Sequence, residues 1–236
     1  TTRASLITGL YPRRQGDLLQ RNMVTLGEVL RQAGYQTALC GKWHLGHGET
    51  THPVYRGFEE FYGLLDGCCN YFDPSIRDPA YKGSRIRFFA HNLERLTDFP
   101  PDYYTTDAFT EHAIRVVRQF AAAEQLFFLH LCYTAPHYPL HAKPADIAKY
   151  RGRYLEGWTT LRQRRFARQQ QIGLADDSWQ LTANDSRAYP WSDADHQFED
   201  QRMAVYAAMI DSMDQNLARL FTTLDELRIA DNTLVM

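Results

Sequence analysis

Three short stretches of this 236-residue sequence concentrate cationic or titratable side chains: Arg3 in TTRASLITGLYPRRQG, Lys42 and His44 in GKWHLGHGE, and His137 in PHYPLHAKP. Taken singly, an Arg, or a His after a strand, is more often a satisfied structural residue. Brought into one crevice, a guanidinium, an ammonium and two imidazoles in a chain of formal net charge −2 would make an anion site. Tetrahedral oxyanions suit such a site, because Arg and Lys neutralise charge developing on equatorial oxygens while His moves a proton near neutral pH. Sulfate and phosphate esters both qualify. His44 and His47, three apart in HLGH, also offer a metal reading, but the surrounding glycines argue against a rigid helix presenting both rings.

The flanking sequence predicts elements that could carry these loops to one place. TLGEVLRQAG has a capping box, with Thr25 as N-cap and Glu28 three residues on, and ends at Gly34, where a left-handed C-cap is expected. YQTALC then reads as a buried strand that runs directly into the loop of Lys42 and His44. Thr50 to Pro101 is rich in Gly, Pro, Asn, Asp and aromatics, which predicts a loop-dominated excursion with short strands such as SRIRFFA. Apolar residues at Ala108, Phe109, Ala113, Val116, Val117 and Phe120 mark a helical stripe capped near Thr105 or Thr106. QLFFLHLCYTA follows as a continuous apolar strand, and the loop of His137 comes straight after it. Helix, strand and loop thus occur twice in the same order. That order predicts an α/β fold with ligand groups gathered beyond the carboxyl ends of the strands.

Further on, GWTTLRQRRFARQQQIG predicts a helix with a solvated basic face around Trp158, Leu161 and Phe166, and Leu174 to Phe198 is polar and irregular. RMAVYAAMIDSMDQNLARLFTTLDEL is the longest amphipathic helix, its core stripe expected at Met203, Ala207, Ile210, Met213, Leu217, Leu220 and Leu224. The sequence opens without a Met or an apolar leader and closes on IADNTLVM, a rising apolar run that reads as the first half of a buried strand. The expectation is an internal piece of a longer protein.

With 44% hydrophobic and 23% charged residues, the composition is that of an ordinary globular protein. The near-neutral charge gives no bulk attraction to nucleic acid or an anionic membrane. No apolar run approaches the roughly 20 residues of a membrane span. Cys40, Cys68, Cys69 and Cys132 are too few and too irregularly spaced for a disulfide scaffold or a zinc pair. Cys40 and Cys132 read as buried small hydrophobes; for Cys68 and Cys69, free thiols and bridges to other chain both stay open. The composition leaves the compartment undetermined.

TTRASLITGLYP resembles the signature of the formylglycine-dependent sulfatases, C-x-P-S-R-x-x-L-x-T-G, entered at its third position. GYQTALCGKWHLG is similar to the second signature of that family nearly residue for residue, and GFEEFYG, YYTTDAF, FFLHLCYTAPHYPL and YAAMIDSMDQNLARL fall in the order arylsulfatases show. Thr1 and Thr2 stand where the commonest pattern has Pro and Ser.

The resemblance implies a mixed, mostly parallel sheet between helices, the three-layer sandwich of the alkaline-phosphatase superfamily. Residues 1–236 would be part of an N-terminal catalytic domain, truncated at both ends and inactive alone. It implies sulfate-ester hydrolysis through a hydrated formylglycine made from a Cys or Ser two positions before Thr1, with help from a divalent metal, Ca²⁺ being the expected ion. The metal's ligands would lie outside these residues. Asp231 and Asn232 would be a turn rather than the metal pair. Arg3 would steady the formylglycine, Lys42 contact diol and sulfate, His44 act as the base of elimination, and His137 hold sulfate at the leaving-group side. Gly67 stands near where some members place a Ser that contacts sulfate. The implied partners are a sulfated small molecule or glycan and the formylglycine-generating enzyme. A periplasmic, secreted or lysosome-like compartment is compatible with the family. A phosphate or phosphonate ester hydrolase of the same superfamily, or a non-catalytic binder of sulfated glycans, are the alternative functions.

Overall fold

The computed structural model describes residues 2–11, 19–184 and 189–236. Thr1 and the 12–16 part of the opening stretch, and 185–188 of the polar segment, lie outside them. The chain divides into two compact units, residues 1–141 with 212–236, and residues 142–211.

In the first unit, α1 (Thr2–Thr8) is followed by α2 (Leu26–Gln32), β1 (Gln36–Gly41), β2 (Glu60–Leu64), β3 (Phe89–His91), β4 (Glu94–Leu96), α3 (Thr105–Ala122) and β5 (Phe127–Cys132). The strands form one mixed sheet in the order β4-β3-β2-β1-β5. β1 pairs in parallel with β5 and with β2, whereas β2–β3 and β3–β4 are antiparallel. Central β1 is buried along its length from Thr37, as a strand covered on both faces must be.

Successive β1 side chains point to opposite faces. Ala38 packs with Val116 and Phe120 of α3, while Leu39 joins Trp43, Phe58 and Phe61 on the other side. Phe127, Leu129 and Leu131 of β5 meet Val117, Leu220 and Leu224, and Phe128 lies against Phe58. The sheet is therefore sandwiched between helices, an α/β architecture.

Local expectations hold where the signal is local. The capping box is formed: Glu28 N–H donates to Thr25 Oγ1 at 3.1 Å, and Thr25 N–H to Glu28 Oε2 at 2.7 Å. Other expectations are corrected. The opening stretch is helical over Thr2–Thr8 rather than a loop. The excursion does hold short strands, β2, β3 and β4, with β2 in parallel register to a strand far away in sequence (Ala38 with Glu60), but SRIRFFA contributes only Phe89 and Ala90 to one. The residues after Asn232 form no strand, and Leu234 and Met236 are exposed; Asp231 and Asn232 do sit in a turn of 3₁₀ helix.

The last helix, α6 (His196–Glu226, after α4, Pro144–Ala148, and α5, Trp158–Gln171), starts six residues before Arg202. Its buried positions include Ala204, Ala208, Met209, Ser212, Asn216, Leu220 and Leu224, while Met203 and Ile210 are exposed. Apolar periodicity misses this face because Asn216 is buried with a partner: its Nδ2 donates to Asp107 Oδ1 at 2.8 Å. In the second unit, Asp200 anchors the turn before α5 by accepting from Gly152 N at 2.7 Å and Tyr154 N at 2.9 Å. No helix among the described residues is long and apolar enough to cross a membrane.

Candidate active site

Lys42 directly follows β1 and His137 follows β5 by a few residues. Parallel pairing sets Gly41 opposite Cys132, so both loops leave the same carboxyl edge of the sheet. Lys42 N–H donates back to Cys132 O at 2.7 Å, tying the two strand ends together. Gly41 at this junction has φ +117°, and a Cβ on it would lie 2.0 Å from Cys132 O; only glycine permits the approach.

Arg3, carried by α1, reaches the same edge: its Nη1 donates to Lys42 O at 2.6 Å. Lys42 is 7% exposed and has no carboxylate partner among the described residues. Burial and the neighbouring Arg3 push its ammonium below the usual lysine range, opposed in part by the thiols of Cys68, Cys69 and Cys132. His44 adopts φ 59°, a left-handed conformation uncommon outside glycine, which aims its ring differently from an extended continuation of the strand. Burial, then Lys42 and Arg3, lower its imidazole, with Asp66 acting the other way. Asp66 is itself engaged, accepting from Arg85 Nη2 at 2.9 Å and Phe88 N at 2.8 Å. The imidazole is therefore biased toward its neutral form beside two cations, the form a base uses.

His137 is exposed on its loop. Its Nδ1 hydrogen-bonds Tyr138 O at 2.5 Å, while Nε2 has no partner among the described residues, and buried Tyr71 donates its hydroxyl to His137 O at 2.9 Å. Among the described residues no hydrogen bond or ring contact joins His137 to Lys42 or His44. Arg3 thus touches Lys42 directly, both act electrostatically on His44, and His137 leaves the same sheet edge with no such link to them among the described residues. His47 stacks on Phe88 (4.9 Å between centroids). Neither it nor His44 belongs to the set of three potential metal ligands found among the described residues. The four cysteines are unpaired: Cys40, Cys68 and Cys69 are buried and Cys132 is partly so.

A cluster of Arg, Lys and neutral His with no free carboxylate offers anions a site but does not fit a hard divalent cation, which needs several oxygen ligands. Sequence reading missed one participant. Tyr71 carries no spacing signal. Gly67 is shaped by contact: a Cβ on it would stand 2.8 Å from Cε1 and Nε2 of His44.

The sequence model of the sulfatase family matches residues 1–236. The chain belongs to the sulfatase family. An uncharacterized sulfatase of Schizosaccharomyces pombe is 33% identical over 99% of this chain and 43% of its own length. The arylsulfatase of Klebsiella aerogenes is 29% identical over 92% of the chain and 47% of its own length. Among solved structures, Ps i-CgsB in complex with k-i-k-neocarrahexaose superposes with TM-score 0.64 and 26% identity, covering 96% of this sulfatase chain and 44% of that one. The chain therefore spans about half the length, or slightly less, of these relatives.

Proposed function

We propose that these residues form part of the catalytic domain of an arylsulfatase-like sulfuric ester hydrolase. The observation that carries the reading is the convergence of Arg3, Lys42 and His44 at one sheet edge, where among the described residues no carboxylate pairs with Lys42 and the nearby Asp66 is engaged by Arg85 and Phe88. Lys42 and Arg3 bind the sulfate dianion and the charge that grows on its oxygens. His44, neutral at its lowered pKa, takes a proton during release of sulfate. His137 presents Nε2 to the departing oxygen. The nucleophile is a formylglycine, generated by a maturation enzyme from a Cys or Ser two positions before Thr1. A divalent cation, Ca²⁺ in this reading, would be held by residues outside the present 236 and would supply Lewis-acid polarisation of the sulfate. The substrate is a sulfated small molecule or glycan.

The test uses the full-length protein co-expressed with a formylglycine-generating enzyme and assayed on an aryl sulfate, an aryl phosphate and an aryl phosphonate. Sulfate turnover that dominates, and falls at least about 10²-fold in Lys42→Ala, supports the reading. Faster phosphate or phosphonate cleavage overturns it in favour of the related hydrolases. Retention of a sulfated glycan without turnover of any ester assigns the protein as a binder.

A further inference from the structure

Away from that edge, three side chains on three elements converge. Glu60 opens β2 and lies in register with Ala38, four residues before Lys42 on β1, or roughly 13 Å along the strand at about 3.3 Å per residue. The convergence is therefore toward the amino ends of the parallel strands, opposite the candidate active site. His91 of β3 is paired with Tyr62, and because side chains alternate, Glu60, Tyr62 and His91 share the sheet face covered by α3. α3 supplies His112, whose ring stacks on Tyr62 at 4.5 Å and 7°. Nε2 of His91 lies 2.8 Å from Glu60 Oε1, and Nε2 of His112 lies 2.7 Å from the same oxygen. Asn92 fixes the carboxylate: its Nδ2 donates to Glu60 Oε2 at 3.0 Å while its Oδ1 accepts from Phe61 N at 2.8 Å. All three candidate ligand atoms fall within 4.8 Å of one another.

We propose that Glu60, His91 and His112 form a binding site for a divalent transition-metal cation, Zn²⁺ first among them. Two imidazoles and one carboxylate are a nitrogen-rich donor set that suits zinc and leaves a fourth position for water, whereas Ca²⁺ and Mg²⁺ require oxygen. His112 is buried to 5% side-chain exposure, but Glu60 at 24% and His91 at 38% leave an entry path from solvent. Asn92 is the kind of outer partner that orients a ligating carboxylate.

Zinc–ligand bonds of about 2.0–2.2 Å place tetrahedral donors about 3.3 Å apart. The rings must therefore open by roughly half an ångström from their hydrogen-bonded spacing. Both imidazoles must also present a lone pair at Nε2, with the ring proton moved to Nδ1. At His112 that nitrogen now faces Arg115 Nη2 at 2.7 Å. Arg115, 62% exposed, has to swing into solvent, so its charge opposes metal binding.

The test is isothermal titration of Zn²⁺ into chelator-treated full-length protein, with Co²⁺ absorption as a second readout. One tight equivalent that weakens by about 100-fold or more in His91→Ala and Glu60→Gln, with a Co²⁺ ligand-field band lost in the same variants, supports the site. Tighter binding by Arg115→Ala supports it further. A stoichiometry and affinity unchanged by both ligand substitutions, or a wild-type protein with no Co²⁺ band, overturns it. The proposal is independent of the sulfatase reading: Lys42→Ala removes turnover on that reading and leaves this equivalent in place.

Discussion

Gly67 lies against the imidazole of His44, so closely that a Cβ on the glycine would stand 2.8 Å from two ring atoms. The backbone there is not left-handed, so the limit is space rather than strain. Gly67→Ser must displace the ring. With His44 as the base, a shift of about 1 Å lowers kcat on an aryl sulfate by about 10²-fold. The thermal melting point should stay near that of the parent, and an unchanged kcat would separate Gly67 from catalysis.

The environment of His44 sets a pH limit. Burial and the charges of Lys42 and Arg3 hold its pKa below the ordinary imidazole value, so it remains an unprotonated base to lower pH than a free histidine. The acid limb of the pH profile of kcat/KM should lie below about 6.5. Asp66 raises the His44 pKa, so Asp66→Asn should move that limb further down. A limb above the ordinary value would remove His44 as the base.

His137 is tied to more distant parts of the fold through its backbone, whose N–H donates to Thr134 O at 3.0 Å and whose carbonyl accepts from Tyr71, while its exposed ring bonds only the adjacent Tyr138 carbonyl among the described residues. His137→Ala should leave the melting temperature unchanged and reduce aryl sulfate turnover by about 10²–10⁴-fold, the range of a lost proton-transfer group. Full activity in this variant would place the leaving-group acid elsewhere.

Buried Arg56 is the hub that fixes α2 to the loop before β2. It binds Glu28 Oε1 at 3.0 Å, the carbonyls of Gln20 at 3.3 Å and Thr50 at 3.2 Å, and the carbonyl of Met23. Burial raises the Glu28 carboxyl, but hydrogen bonds from Arg56 and Thr25 outweigh it and leave the pKa lowered. A depressed carboxylate contributes stability above its unfolded pKa and loses it as pH falls through the folded one. The parent should therefore lose stability below about pH 4.3, and Glu28→Ala should flatten that acid limb in denaturant melts. The same variant removes the capping box and one partner of a buried cation, at a cost of about 2–3 kcal/mol near neutral pH.

What was legible in the sequence follows the range of the interactions. Thr25 and Glu28 are three residues apart, and the cap they form needs nothing else. β1 and β5 read as apolar runs because both are covered by helices, and the stripe of α3 shows because its face is apolar. β2 was hidden because EFYGL lacks a period and owes its strand state to pairing with β1. The face of α6 was misread because Ser212 and Asn216 are buried, and Asn216 is satisfied there by Asp107 on another helix together with Ser212 O and Arg219 on its own. The Glu60, His91 and His112 cluster left no trace at all, since its spacing of 31 and 21 residues matches no motif.

The sequence by itself determined the family, through two signatures in order, and with it the candidate residues Arg3, Lys42, His44 and His137. Only the tertiary structure decided which of them meet. Parallel register between β1 and β5 sends Lys42 and His137 out of one sheet edge, and α1 returns Arg3 to the Lys42 carbonyl across 39 residues. Spacing along a chain encodes contacts within a turn or two, whereas contacts across a sheet depend on strand order and register, which arise when the whole core packs.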